Sequence, residues 1–358
     1  MPAHAARASG ETTIEQYAGS DVSLDQTSVC VVDGTARIVR DAKGASEPEA
    51  LLAWFAAHGV AMTRIGLEAG SLSQRLFAGM EAAGLPVSLL ETRRVRAALK
   101  TMTIKTDRKD ALGIAHLMRM GWFRAVHCKS LAAQEVRALL TARKLLLSKR
   151  LDLEMSLRGV LRGFGLKVGL TTPRTFAGRV RELAKGQATL EAIAEAMLKA
   201  RDALIKEYKG LESQILKQSR RDERVRLLMT TPGVGALTAL TFAAAIDDPD
   251  RFRSSRMVGA HFGLTPRKHQ SGETDVTGRI SKVGDQGARV ALYEAANVIL
   301  TRSVKGSALK NWAQGVAKRA GMKKAKVALA RKLAVVMHQM LKTGKAFSLT
   351  GLPQAVAA

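Results

Sequence analysis

Cysteine is almost missing from this chain: Cys30 and Cys128 are the only two in 358 residues. Two thiols so far apart form no zinc-ligand spacing and no disulfide framework, which fits a reducing interior. Aromatic side chains are also scarce, at 4% of residues. That scarcity argues against a protein whose surface works mainly by stacking unpaired bases. No apolar run is long enough to span a bilayer: Val234 to Ile246 falls well short of the roughly 20 residues needed. Met1 to Gly10 has no apolar run of the kind that opens a secretory leader, so the expectation is a soluble, cytoplasmic protein with no membrane partner. Acid is the remaining shortage. Against 57 Lys and Arg stand 31 Asp and Glu, a net charge of +26. After Glu294 there is no acid at all, while twelve Lys and Arg follow. Such an excess favours a polyanionic partner through counterion release, and in the C-terminal tail it favours a phosphate-binding surface over a merely solvated helical face.

What is present is enough apolar residue, 46%, to build substantial cores in two or three domains. Residues before Tyr17 are small and polar, a loose arm. Strand-like runs follow at Tyr17–Ser23, Thr27–Val32 and Arg37–Arg40, with Asp33-Gly34 as a hairpin turn between the last two. Helical segments at about Pro48–His58, Ser71–Ala83 and Thr92–Ala98 alternate with strands at Arg64–Glu68 and Val87–Leu90. This alternation predicts an α/β domain of mixed strand direction over residues 1–126. Residues 127–221 carry two long helices, Leu131–Gly163 and Thr189–Ser219, with Leu139, Leu140, Leu145, Leu146 and Leu153 recurring at helical spacing. Gly165, Gly169, Pro173 and Gly178 mark the linker between them. An antiparallel hairpin is expected, packing within one chain or against a second copy. Residues 222–358 read as mainly helical, near Ala236–Ile246, Ser254–His261, Asp285–Leu300 and Lys323–Leu341. Loops at Thr231–Gly235 and Gly263–Pro266 interrupt them. There is no internal repeat and no low-complexity tract.

Against the basic background, four acids form an ordered set. Asp21 lies inside the first strand, where an unpaired carboxylate is unfavourable. Glu68 ends the strand Ile65-Gly66-Leu67, beside a turn. Asp107 and Asp110 lie three positions apart at the start of the helix Asp107–Met120, on one helical face. Structure alone accounts for each taken singly: Asp107 as an N-cap, Asp110 as a first-turn acid. As a set, a strand, a strand end and a helix face can converge, and clustered carboxylates call for a divalent cation. Four could hold two Mg²⁺ about 4 Å apart and clamp the attacking and leaving oxygens of a phosphodiester. Lys105, Arg108 and Lys109 would help seat the nucleic-acid strand.

A second constellation runs from Gly263-Leu264-Thr265-Pro266-Arg267-Lys268-His269 to Gln270-Ser271-Gly272. There a Ser-Gly loop sits among Arg267, Lys268, Arg279 and Lys282, which suits a hydroxyl beside a bound phosphate. Ser281, in Gly278-Arg279-Ile280-Ser281-Lys282, is a rival, and no local triad activates either serine. On the residues alone the choice stays open.

The order Gly19-Ser20-Asp21, Gly66-Leu67-Glu68-Ala69 and Lys105-Thr106-Asp107-Arg108-Lys109-Asp110-Ala111 resembles the DEDD-type transposases of bacterial insertion sequences. Leu228 to Gly235 resembles the opening of that family's second domain, with helix-hairpin-helix character. Phe262 to Arg267, then Gln270-Ser271-Gly272 and Gly278 to Lys282, match its most distinctive block. The resemblance runs from about Tyr17 to Leu352. It implies a RuvC-like (RNase H-like) N-terminal domain, a coiled-coil-like helical middle and a mainly α C-terminal transposase domain. It implies that Asp21, Glu68, Asp107 and Asp110 bind Mg²⁺, two per site with Mn²⁺ as a substitute, Asp21 bridging both. Ser271, and not Ser281, falls on the family's nucleophile. The family's activity is recombination of DNA at element ends and target through a covalent phosphoserine link, which conserves phosphodiester energy and needs no nucleotide cofactor. A structured bridge RNA guides it, and homodimers assemble into tetramers through the helical middle. The serine of one subunit would complete the metal site of another. The chain shows no base-reading helix-turn-helix or zinc finger, which fits a guide that supplies sequence by pairing. Two alternatives remain: a RuvC-like nuclease that cuts junctions by water attack, and a noncatalytic nucleic-acid-binding scaffold.

Overall fold

A computed structural model describes residues 15–100, 105–302 and 306–349. The chain forms two compact units, Met1–Lys129 and Ser130–Ala358. The arm before Tyr17, apart from Glu15 and Gln16, lies outside the described residues.

The first unit is built on a five-stranded sheet: β1 (Gln16–Val22), β2 (Gln26–Asp33), β3 (Ile38–Ala45), β4 (Arg64–Glu68) and β5 (Val87–Leu90). Their order in space is β3-β2-β1-β4-β5. β1, β2 and β3 pair antiparallel, whereas β1, β4 and β5 run parallel. Four helices complete it: α1 (Pro48–Ala56), α2 (Ser73–Ala82), α3 (Thr92–Leu99) and α4 (Asp107–Met120). Strand alternation sends Ala18, Val29, Val31, Ile65 and Leu67 into a core with Leu51, Leu76 and Met80 of α1 and α2. The opposite face buries Tyr17, Cys30 and Val32 against Ile114, Ala115 and Met118 of α4. A mixed sheet with helices on both faces and a mostly helical second unit is consistent with an RNase H-like transposase fold. The expected β2–β3 hairpin is present, but its turn differs in detail. Asp33 Oδ1 accepts hydrogen bonds from the backbone N–H of Thr35 and Arg37, and the left-handed residue is Ala36 at φ 75°, not Gly34.

The second unit contains α5 (Leu131–Gly163), α6 (Phe176–Ala184), α7 (Ala188–Arg221), α8 (Glu223–Met229), α9 (Ala236–Ile246) and α10 (Arg256–His261). A hairpin of β6 (Pro266–Ser271) and β7 (Thr274–Ile280) follows, then α11 (Gln286–Thr301), α12 (Ala308–Ala320) and α13 (Met322–Thr343). Its main core gathers α8 to α13 with the near ends of α5 and α7, through Ala133, Val136 and Ile215. The two long helices then leave that core as an arm and close a second, separate core around Leu157, Phe176 and Leu198. Four segments differ from the sequence expectation, the first being α8, a helix between the long arm and α9. The Gly- and Pro-bearing linker holds a helix, α6, which spans Gly178. The loop after Pro266 is a two-stranded hairpin, and α12 adds a helix before α13.

Candidate active site

Two glycines bring the N-terminal acids together. Gly19 and Gly66 are directly paired across β1 and β4. A Cβ on Gly19 would lie 2.2 Å from the Ala111 carbonyl oxygen and 2.3 Å from the Ala115 nitrogen, and one on Gly66 would meet Ile114 and Met118. With no side chains in the way, α4 lies directly on the sheet. Asp21 and Glu68 each stand two residues beyond these glycines, hence on the same face. The register pairs Ser20 with Leu67, so Asp21 and Glu68 follow at neighbouring strand ends, about 4.8 Å apart between backbones. The first turn of α4 carries Asp107 and Asp110 near enough for both to act on the Asp21 carboxyl, and for Asp110 to act on Glu68. Thr106 caps this helix by accepting a hydrogen bond from the Lys109 N–H at 3.2 Å. Asp107 is therefore the first helical residue and not the cap, which removes the capping explanation for it. Beyond Glu68, Ala69 is fixed by its N–H to Leu90 O at 3.1 Å and by the Thr92 hydroxyl donating to Ala69 O at 2.7 Å.

The electrostatics report the convergence. Burial lifts the Asp21 carboxyl above the ordinary carboxylate range, and Asp110 and Asp107 push it further, against the pull of Lys105 and Lys43. Burial likewise raises Glu68; Asp21 and Asp110 add to this, while Arg96 and Lys105 oppose it. Asp107 is half exposed and ion-paired with Lys43 at 3.0 Å. Arg108 pairs with Asp41 of β3 and keeps its side chain largely exposed. Among the described residues no three carboxylate, imidazole or thiol groups already stand close enough to hold a metal ion. Lys43, Asp41 and Arg96 were not singled out from sequence. Arg96 was the most findable, since it sits in the cation-rich run Thr92-Arg93-Arg94-Val95-Arg96.

In the second unit, Ser271 is the last residue of β6, exposed and paired with Thr274 across the tight turn Gly272-Glu273. Gly272 takes φ 55°, and the Ser271 hydroxyl has no hydrogen-bond partner among the described residues. Lys268 reaches Asp275 at 3.1 Å, and Arg267 donates to Ser281 O at 3.2 Å. Ser281 N–H in turn bonds Thr265 O at 2.9 Å, which places Ser281 at the hairpin's foot and Ser271 at its tip. Arg279 and Lys282 are exposed along the returning strand and its end. The foot is held by close backbone packing: a Cβ on Gly263 would lie 2.3 Å from Val283 N and O.

Two family models match the chain: one described as "Transposase" over residues 18–165, the other as "Transposase IS116/IS110/IS902 family" over residues 225–314. The chain is 33% identical over 276 residues to the transposase for insertion sequence element IS1111A of Coxiella burnetii, covering 75% of this chain and 73% of that protein. This chain belongs to the IS116/IS110/IS902 transposase family. A probable family 20 transposase of Pseudomonas aeruginosa is 31% identical over 249 residues, 66% of this chain and 72% of the relative. The pilin gene-inverting protein of Moraxella bovis is 27% identical over 128 residues, 35% of this chain and 39% of the relative. The first matched region of this transposase contains Asp21, Glu68, Asp107 and Asp110, and the second contains Ser271. No helix among the described residues is long and apolar enough to cross a membrane.

Proposed function

We propose that this insertion-sequence transposase is an RNA-guided recombinase that exchanges DNA strands through a phosphoserine link formed by Ser271, with a two-metal site on Asp21, Glu68, Asp107 and Asp110. The observation that carries the reading is the shared electrostatic strain of the acids. Asp21 and Glu68 are partly buried on neighbouring strand ends; burial raises the cost of ionising both, Asp110 and Asp107 add to it at Asp21, and Asp21 and Asp110 add to it at Glu68. Four hard oxygen donors with that strain fit a hard divalent cation, Mg²⁺ or Mn²⁺. Bound there, the cations would lower the barrier by stabilising the charge of the attacking and leaving oxygens. Asp107 must let go of Lys43 to join, a half-exposed pair worth about 0.2–1 kcal/mol, which is a small cost. Lys105 and Arg108 then face the nucleic-acid backbone.

At the hairpin tip, the Ser271 oxygen loses its proton and attacks phosphorus, forming an O–P bond as the bond to the leaving sugar oxygen breaks and that oxygen takes up a proton. Arg267, Lys268, Arg279 and Lys282 offset the phosphate charge. Because one phosphoester replaces another, reversal by a different sugar hydroxyl reseals the DNA without a nucleotide cofactor. The Moraxella relative is a pilin gene-inverting protein, which suits an enzyme that rejoins what it cuts.

The helical arm (residues 127–221) supports an oligomer. Between Val136 and Leu157 no residue of α5 is fully buried, and Leu145, Leu151 and Met155 are exposed there. A second copy covering them would give the dimer, and dimers the tetramer, with the serine of one copy completing the acid site of another. Element DNA, target DNA and a structured guide RNA are the partners, met in the bacterial cytoplasm. The test is a DNA carrying the element's ends, incubated with guide RNA and Mg²⁺. Wild type is expected to give a protein–DNA adduct resistant to denaturation, and both Ser271→Ala and Asp21→Asn to give none. Cleavage that persists in Ser271→Ala would mean attack by water, and no Mg²⁺-dependent reaction at all would mean a scaffold.

A further inference from the structure

The far end of the helical arm is a preorganised, positively charged platform that presents an exposed aromatic ring, Phe164. α5 ends in a Schellman motif. Leu166 N–H bonds Leu161 O at 3.0 Å, Gly165 N–H bonds Arg162 O at 3.0 Å, and Gly165 takes φ 75°. Leu161 and Leu166 turn inward to the distal core, which leaves the cap residue Phe164 outside it and 61% exposed. Leu170, in the same loop, is fully exposed.

The loop behind them is tightly wired. Arg158 donates to Gly169 O at 2.6 Å and to Thr171 Oγ1 at 2.7 Å, and Arg201 donates to Pro173 O at 2.7 Å. Both guanidinium groups also lie 5.2 Å from the buried Phe176 ring. An exposed Phe on a fixed loop loses little further freedom when something stacks on it.

Charge says what that something is. From Leu157 to Leu190 there are seven Lys and Arg and one acid, Glu182, a net of 7 − 1 = +6. Arg162, Lys167, Arg174 and Lys185 have no acidic partner among the described residues and are exposed. A second copy of this tip would bring cations against cations, which disfavours self-association here. Leu157 lies 17 residues along α5 from Leu140, the last α5 residue packed on the main core, which sets the platform about 26 Å beyond it at 1.5 Å per residue.

We infer that the arm tip is a nucleic-acid contact of its own, in which Phe164 stacks on an unpaired base while Arg162, Lys167 and Arg174 hold the flanking phosphates. This rests on the nucleic-acid reading above and adds to it a class of target: a loop, bulge or single-stranded segment, not an intact duplex. One ring among so few aromatics suits a single anchored base, not a stacked row.

Binding of the full-length chain is measured in EDTA, so that neither metal nor the serine matters, by fluorescence anisotropy of labelled stems. Each stem is closed by an unpaired loop or left blunt, and each is made as RNA and as DNA. Phe164→Ala is expected to weaken binding of the looped stem between about five- and a hundredfold and to leave the blunt stem unchanged, while Phe164→Trp retains loop binding. Neutralising Arg162, Lys167 and Arg174 together to Ser should lower the salt dependence on both stems by roughly two to three phosphate contacts. The tighter of the RNA and DNA arms identifies the source of the base. Equal binding of the looped stem by wild type and Phe164→Ala overturns the inference, as does an equal loss on both stems. A changed sedimentation coefficient without changed binding overturns it too, since the tip would then be a contact between copies. Wild type that binds none of the four probes would overturn the nucleic-acid reading itself, whereas wild type that binds without a role for Phe164 overturns only the tip.

Discussion

Replacing Gly19 by Ala tests whether α4 is held against the sheet by the absence of a side chain. The added Cβ would sit 2.2 Å from Ala111 O, 2.3 Å from Ala115 N and 2.9 Å from Ile114 C, all backbone atoms that cannot swing aside. Ordinary contact starts at 3.4 Å, so the helix must retreat by 3.4 − 2.2 = 1.2 Å. A gap of that order forfeits a quarter to a half of the dispersion energy along the contact, including that of Ile114 and Met118. Overpacking costs about 1–3 kcal/mol, and the backbone contacts put this substitution near about 3 kcal/mol. For a unit of this size, that lowers the melting temperature by roughly 10 °C or more. Scanning calorimetry of the full chain reads it, with Gly34→Ala as the control because nothing lies within 4 Å of that position. Gly66→Ala should cost less, because two of its three nearest atoms are the Met118 Cγ and Sδ at 2.7 and 2.8 Å, parts of a flexible side chain. The same retreat carries Asp107 and Asp110 away from Asp21, so metal-dependent DNA reaction should fall with stability. If Gly19→Ala melts with wild type and reacts at the wild-type rate, α4 does not rest on β1 and the site's geometry is wrong.

Two further outcomes are expected. Gly263→Ala strains a residue at φ 64° and drives a Cβ to 2.3 Å from Val283, so adduct formation should fall at least tenfold while Mg²⁺ uptake by the acid site stays intact; calorimetric uptake and denaturing gels measure the two separately. His338 is fully buried between Ser255 Oγ at 2.8 Å and Pro249 O at 2.9 Å; burial and the nearby Lys342 and Arg251 lower its pKa, with Asp250 and the Pro249 hydrogen bond opposing. Since the unfolded chain then binds the proton more readily, stability should be lost as pH falls through the ordinary His value of 6.5, and His338→Gln should flatten that loss in urea midpoints taken from pH 8 to pH 5.

The N-terminal sheet was legible because its strands follow a rule that sequence carries. Thr27 to Val32 is a buried β-rich run, and it forms β2 within one residue at each end. β3 was read too short: Asp41-Ala42-Lys43-Gly44-Ala45 has little strand character, yet it pairs along β2 as far as Gln26↔Ala45. An edge strand takes its length from its neighbour's backbone, not from its own side chains. The β6–β7 hairpin was read as a loop for the same reason: every residue of β6 is exposed, so no alternation of apolar residues marks it. α6 was read as linker because Gly178 and Pro173 suggested irregular chain, whereas Phe176, Val180 and Ala184 are buried at helical spacing. For the site, the residue types and order were visible, but the countercharges were not. Lys43 and Asp41 reach α4 only through pairing across three strands, and the need for Gly19 and Gly66 appears only when a helix is laid over them.

The most direct measurement is titration calorimetry of Mg²⁺, then Mn²⁺, into wild type and Asp21→Asn. Because Asp21 and Glu68 are both held above their ordinary range in the folded chain, ionising them costs stability as pH rises through that range. Asp21→Asn should therefore fold at least as well without metal, which separates lost binding from lost structure. Saturable uptake by wild type, accompanied by a higher melting temperature and absent in Asp21→Asn, is the predicted result. Uptake that is missing from wild type, or unchanged by the substitution, would contradict the assignment of these acids to one metal-dependent centre.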